Sequence, residues 1–263
     1  MLKRFRQQKT VSCAVRIGGG QPFEVHGQLL EYGRRLMGAH RLTDEFLNFI
    51  LSLLDEKACL EIGERLFGKR RLRKSKRRES LFDDDVADIL KPDVLAQRIS
   101  VDLLGGRLGI GAGSLERYLL TFIEKAQRKA AGSAGLQSAM KELARMFGFN
   151  EDEIGFVTFL FCKVSHEPFS NLCFNLRLAE YTGLVSIVTG MTNERMRAII
   201  GARQKLQLSG VVIEEEFGDP GRGDRYSLDV NIVDYLTGIA KVSLAEKFCR
   251  RDDSPVIPLS RFK

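Results

Sequence analysis

The stretch NLCFNLRLAEYTGLVSIVTGMTNERMRAIIGARQKLQLSGVVIEEEFGDPGRGDRYSL, residues 171–228, decides the fold expected for the C-terminal part of this chain. Apolar side chains at helical spacing predict one helix over about 171–181 and a short second helix over about 184–188. A turn follows, and Thr192 is placed to cap a third helix over 193–206. Two helices that meet at a short turn predict a helix-turn-helix unit.

Two short strands and a glycine-rich loop come after these helices. Strands are expected at 211–217 and 225–228, and they flank the loop GDPGRGD at 218–224. This arrangement is typical of a two-stranded wing, and a helix over 231–238 would pack behind it. The sequence therefore predicts a winged-helix module over residues 136–240 in a mainly α (α+β) protein.

The third helix and the wing would carry the contacts of such a module to DNA or to a protein. The candidate side chains are Asn193, Arg195, Arg197, Arg203, Arg222 and Arg225. Basic side chains at these places suit contacts to phosphate groups. The three consecutive acids Glu214, Glu215 and Glu216 on the wing strand would repel DNA, so protein docking is the favoured interpretation.

The positive charge of the chain is concentrated in one segment. The protein has 41 basic and 34 acidic residues and a net charge of +7. The run KRRLRKSKRR supplies eight of the basic side chains: Lys69, Arg70, Arg71, Arg73, Lys74, Lys76, Arg77 and Arg78. Such a run binds nucleic-acid phosphates or an acidic protein surface, or it is a solvated loop that Asp83 to Asp85 partly neutralise. The sequence leaves these alternatives open.

The domain organisation is inferred from composition. Alternating apolar residues around three glycines predict a small β-hairpin over 11–27. The hairpin and several helices are expected to form a helical N-terminal domain over 1–135. The segment AAGSAG at 130–135 has linker composition and marks the boundary with the winged-helix module at 136–240. Residues 241–263, with two prolines and no periodicity, are expected to be a C-terminal linker.

Several helix ends are indicated by local sequence signals. Thr43 is expected to cap a helix, and Pro92 is expected to kink or break one. Ser114 follows a glycine-rich loop and is placed to cap a helix that runs to Lys129. Asn150 with Glu153 three residues later predicts a capping box.

No complete catalytic motif is present. The glycine-rich segment 105–114 lacks the lysine that a phosphate-binding loop needs at its end. Five dispersed cysteines favour reduced core thiols over disulfides or zinc ligands, and no cofactor is expected. His166 is expected to be buried or at a helix end. An acid–base site formed by His166, Glu167 and Cys162 is the less favoured alternative.

A family resemblance begins at FGFNEDE, residues 147–153. This segment, the apolar helix after it, the helix-turn-helix and the pair Ser227-Leu228 resemble a region of bacterial AAA+ ATPases. In that family the region is a winged-helix segment N-terminal to the ATPase core, and a proline-containing linker similar to 254–262 leads into the core. The chain has no Walker A lysine, Walker B run or arginine finger. It is therefore expected to be either the N-terminal part of a longer protein or a relative without the motor.

Two functional hypotheses follow from these patterns. The first is a non-catalytic binding or regulatory module, the region of an AAA+ ATPase that recognises a protein partner or substrate. The alternative is a winged-helix nucleic-acid-binding regulator that uses the third helix and the basic run. A cytoplasmic location without membrane contact is expected, because no apolar run could span a bilayer and no signal peptide is evident. Self-association is left open.

Overall fold

The computed structural model describes residues 25–68, 91–130, 134–174, 176–200, 204–214 and 226–237. Most of these residues are helical, and two short strands within these ranges form an antiparallel sheet. The prediction of a mainly helical protein with a small β component is confirmed at this level. Residues 11–24 of the expected hairpin lie outside the described residues. Its last two residues, 26 and 27, belong to the first helix. The linker at 241–263 also lies outside them.

The helices in the N-terminal part are α1 (His26–Leu36), α2 (Asp44–Ser52), α3 (Glu56–Phe67), α4 (Pro92–Leu104) and α5 (Ala112–Lys129). Those that follow are α6 (Ala134–Phe147), α7 (Glu151–Ser165), α8 (Glu167–Phe174), α9 (Leu178–Thr189), α10 (Asn193–Ile200), α11 (Lys205–Leu208) and α12 (Val230–Leu236). Strands β1 (Val212–Glu214) and β2 (Tyr226–Leu228) pair with Ile213 opposite Ser227. No helix in the described ranges combines the length and the apolar character that crossing a membrane requires.

Two helices start at the capping residues that the sequence predicts. The Thr43 hydroxyl accepts a hydrogen bond from the Phe46 backbone N–H at 3.2 Å and so caps α2. Asn150 and Glu153 exchange both hydrogen bonds of a capping box, at 2.8 and 2.9 Å, where α7 begins. Gly148 follows α6 with a φ of +65°, which favours glycine because it has no Cβ.

Two of the expected boundaries in the N-terminal part are wrong. Pro92 does not kink a helix; it is the first residue of α4, where the missing N–H would have no helical partner in any case. Ser114 does not cap α5, which begins at Ala112 with Gly111 as its N-cap. The reason is that the backbone N–H groups of Ser114 and Leu115 both bond to the Gly111 carbonyl, so Ser114 lies within the first turn.

The boundaries of the helices on both sides of the predicted turn differ from those expected. α9 runs without interruption through residues 182 and 183, between the two helices that were expected there. It begins after Arg177, whose backbone is extended and whose N–H donates to the Glu180 carboxylate at 3.0 Å. The helix expected over 193–206 is interrupted, because Gln204 has an extended backbone between α10 and α11.

The helices pack around α1, α2 and α7. α2 contacts α4 and α8, while α1 contacts both α5 and α9. α7 contacts α6, α8, α9, α10 and β2. Gly33 permits the close approach of neighbours to α1, since a Cβ at this position would lie 3.1 Å from Ile50 Cδ1 and 3.2 Å from Ile123 Cδ1.

A buried aromatic cluster joins the N-terminal and C-terminal parts of the chain. The Phe169 ring on α8 lies 4.9 Å from Phe49 of α2, 5.8 Å from Tyr32 of α1 and 5.6 Å from Phe159 of α7. All four side chains are buried. The hydrophobic core is thus continuous across residue 135, and the division into two domains there stays a prediction.

Candidate functional site

α9 and α10 follow one another with a short turn between them (the α9–α10 unit, residues 178–200). The Gly190 N–H donates to the Ser186 carbonyl at 2.8 Å, and Gly190 has a φ of +77° that ends α9. The Thr192 hydroxyl accepts a hydrogen bond from the Arg195 backbone N–H at 3.3 Å. Thr192 therefore caps α10, as the sequence predicts.

Asn193, the first candidate contact residue, contributes to the turn itself. Its Oδ1 accepts a hydrogen bond of 2.7 Å from the Ser186 hydroxyl on α9. The bond joins the first residue of α10 to the last turn of α9. Asn193 remains exposed, so a contact to a partner would compete with this internal bond.

Arg195, the second candidate, is paired within the protein. Its guanidinium lies 2.5 Å from Asp152 Oδ2 at the start of α7, and the two side chains are 59% and 18% exposed. The pair links α10 to α7 and places a negative charge beside Arg195, which weakens the attraction of this side chain for phosphate. Sequence reasoning missed Asp152 because it lies on a different helix.

Arg197, the third candidate, faces solvent. It is exposed together with Glu194 and Ala198 on the same short helix. Arg197 makes no ion pair or hydrogen bond with any described residue. This surface of α10 carries one acidic and one unpaired basic side chain, so it is close to neutral.

The remaining candidate residues lie outside the described ranges. They are Arg203, Arg222, Arg225 and the basic run Lys69, Arg70, Arg71, Arg73, Lys74, Lys76, Arg77 and Arg78. The structure therefore brings together Asn193, Arg195 and Arg197 and does not place the others. Between residues 134 and 237 the described side chains include ten acids and seven bases, so this part has no excess of positive charge.

The turn of the α9–α10 unit is held from the N-terminal part by a polar network. Arg35 Nη1 on α1 donates to the Val188 carbonyl at 2.6 Å, at the end of α9. Arg35 is oriented by Glu31 at 2.8 Å, and the Glu31 carboxylate also accepts hydrogen bonds from Arg34 and from Gln127 of α5. The spacing of Glu31 and Arg35 on one helix is visible in the sequence, but their contact with α9 is not.

Glu31 is strongly perturbed by these donors. The hydrogen bond from Arg34 lowers the pKa of Glu31 to about 2, with further lowering by Arg35 and Gln127 against an opposing effect of burial. The carboxylate is thus ionised at all ordinary pH values. It is a structural anchor rather than a proton donor or acceptor.

His166 is also structural. The ring is 2% exposed; its Nδ1 accepts a hydrogen bond from the Phe169 N–H at 3.2 Å, and Nε2 lies 3.3 Å from the Ser52 hydroxyl. The Ser52 hydroxyl donates to the Phe49 carbonyl at 2.7 Å, so it accepts from Nε2. His166 therefore caps α8 as a neutral ring, as expected of a buried residue at a helix end.

The alternative acid–base site is not assembled around His166. Cys162 is buried, and burial raises the pKa of its thiol far above the ordinary range, which opposes formation of the nucleophilic thiolate. Glu167 is exposed, whereas both His166 nitrogens have partners inside the protein. Cys59 and Cys173 are buried free thiols as well, in agreement with the expectation for these three cysteines, whereas Cys13 and Cys249 lie outside the described residues.

Neither a metal-binding group nor a similar known protein assigns a role to the α9–α10 unit. Within the part of the chain that the structure describes, no group of three or more His, Cys, Asp or Glu side chains could hold a metal ion. Comparison with protein-family models, with curated proteins and with solved structures found no match to this chain.

Proposed function

We propose that this protein is a non-catalytic recognition module whose winged-helix region, built on α7, the α9–α10 unit and the two strands, docks a protein partner. It would serve as the partner- or substrate-recognising N-terminal region of an AAA+ ATPase. The family assignment depends on the FGFNEDE segment and the element order that follows it. The docking assignment depends on exposed aliphatic side chains of α11 and β1.

Exposed aliphatic side chains next to the α9–α10 unit carry the docking proposal. Leu208 on α11 is 73% exposed and Ile213 on β1 is 43% exposed, and α11 contacts both β1 and α10. Apolar side chains bordered by mixed charge suit the centre of a protein interface. Phosphate binding requires an excess of unpaired basic groups. Among the described residues of α10, Arg197 is the only unpaired basic side chain.

The test is site-specific photocrosslinking in the full chain. A photoreactive residue at Ile213 should give a defined protein adduct in cells, and Leu208→Glu should abolish that adduct. Leu104→Glu is the matched control, since Leu104 on α4 is 86% exposed and remote in sequence from this surface. An adduct equally sensitive to both replacements, or insensitive to Leu208→Glu, would contradict docking at this surface.

Catalysis is tested separately. The purified chain should not hydrolyse ATP above the level of a buffer control. Magnesium-dependent hydrolysis that chelation abolishes would overturn the non-catalytic assignment.

The second candidate function is nucleic-acid binding through the basic run 69–78. The observation in its favour is that eight positive charges lie within ten residues. Binding to duplex DNA should then weaken steeply with salt, and replacing Arg70, Arg71, Arg77 and Arg78 by Ala should flatten the dependence. A log–log slope near zero would exclude this function. Arg197→Ala should leave the slope nearly unchanged if the run alone is responsible.

A further inference from the structure

A cleft of about 360 Å³ opens between the first half of α3 and the end of α5. Leu53 and Phe122 line its apolar part. Ala58, Ala126 and Ala130 also line it, and their small side chains leave space where larger ones would fill the gap between the two helices. The volume lies in the range of small-molecule sites, about 300–1,000 Å³.

Charged side chains border this apolar cleft, and the basic ones are in excess. The basic groups are Lys57, Lys125 and Lys129, and the acidic groups are Asp55 and Glu61. Asp55 is committed to the protein, because it accepts a hydrogen bond from the Ala58 N–H at 2.8 Å and lies 3.6 Å from Lys129. Lys57 and Lys125 have no ion pair or hydrogen bond with the described residues. Apart from the Asp55–Lys129 pair, the border therefore has two positive charges and one negative charge, that of Glu61. His26 stands at the same border.

We propose that this cleft binds a small amphipathic carboxylate. The apolar body of the ligand would cover Phe122 and Ala126, and its carboxylate would lie between the ammonium groups of Lys57 and Lys125. Removing the apolar body from water favours binding, and the lysines select for an anionic head group. This site is separate from the proposed docking surface, and its occupancy does not depend on that function.

A second groove in the same molecule provides an internal comparison. It also has a volume of about 360 Å³ and lies between α6 and α7, with Leu136, Met140 and Ala144 among its apolar residues. Its lining includes one lysine, Lys141, and one carboxylate, Glu151, so it has no excess of positive charge. If apolar area alone determined binding, the two grooves would be equivalent.

The experiment is calorimetric titration of the full chain with octanoate and with octylammonium, which has the same chain length and the opposite charge. We expect saturable binding of octanoate at one site and much weaker binding of octylammonium. Lys57→Gln and Lys125→Gln should each weaken octanoate binding by up to about fivefold, the range for partly exposed charge pairs. These two variants leave the apolar lining and the core intact.

Filling the cleft provides the second arm. Ala126→Leu keeps a strong helix former and should abolish octanoate binding, whereas Ala144→Leu in the α6–α7 groove should leave it unchanged. Thermal unfolding of both variants verifies that they are folded. Equal binding of octylammonium and octanoate, or loss of binding in Ala144→Leu but not in Ala126→Leu, would overturn the proposal. Failure of octanoate to bind the wild-type chain at millimolar concentration would overturn it as well.

Discussion

Acidification should destabilise this protein through one buried side chain, His166. The neutral ring accepts a hydrogen bond from the Phe169 N–H and lies against Ser52 with both nitrogens occupied. Protonation of Nδ1 would place a second hydrogen against that N–H and a charge in the core beside Phe49. Both effects oppose the charged form in the folded state.

The magnitude follows from the pKa. Burial, with a smaller contribution from His26, lowers the pKa of His166 from 6.5 to about 4. Between these values the unfolded chain binds a proton that the folded protein excludes, so stability is complete above pH 6.5 and falls as the pH drops toward 4. The whole interval corresponds to about 3 kcal/mol of unfolding free energy. This is a large part of the roughly 5–15 kcal/mol by which a folded domain is typically stable.

The assay is urea unfolding at about pH 7.5 and about pH 4.5. Wild-type protein should lose roughly 2.5 kcal/mol more than His166→Asn over this range, because asparagine can still cap α8 and does not titrate. The variant itself should be less stable than wild type at neutral pH, since it loses the ring packing against Phe49.

Two results would refute this reasoning. One is an equal pH dependence for wild type and His166→Asn. The other is an NMR titration of the His166 ring in the folded protein with a pKa near 6.5. Glu31 is present in both proteins, so its own contribution, which is lost between pH 4.5 and about 2, cancels in the comparison of wild type with His166→Asn.

The remaining predictions concern packing, capping and a second titration. Phe169→Ala should cost about 3–5 kcal/mol in urea unfolding, whereas Phe174→Ala, at a ring that is 53% exposed, should cost less than about 1 kcal/mol; equal losses would contradict the central role of Phe169. Asn150→Ala should cost about 1 kcal/mol through loss of the capping box, and an unchanged midpoint would count against that cap. Glu31→Gln should reduce the loss of stability that wild type shows as the pH falls from 4.5 toward 2, the window between the ordinary and the lowered pKa of Glu31; an identical acid limb in both proteins would rule this out.

Features that depend on neighbours in the sequence were the predictable ones. The Thr43 cap, the Asn150 capping box and the Thr192 cap each involve a hydroxyl or amide and an N–H three residues away. Gly190 similarly ends α9 in a conformation that its own lack of a side chain permits. These contacts require a few fixed dihedral angles, so the residue types alone indicate them.

Helix boundaries were less predictable where two local signals compete. Ser114 and Gly111 can both precede a helix, and the backbone bonds to the Gly111 carbonyl determine which one does. Pro92 is compatible with a kink or with a first turn, and the structure has the first turn. Such choices differ by about 1 kcal/mol, which packing of the whole helix can override.

By itself the sequence determined the helical character, the turn before α10, and the concentration of positive charge in residues 69–78. Only the tertiary structure decided that Arg195 pairs with Asp152, that Arg35 bonds to the end of α9, and that Phe169 joins the two parts of the core. These contacts link side chains from different helices, across as many as 153 positions for Arg35 and Val188. Helical periodicity specifies which side of a helix is apolar, but the helix that covers it is selected by packing of the complete chain.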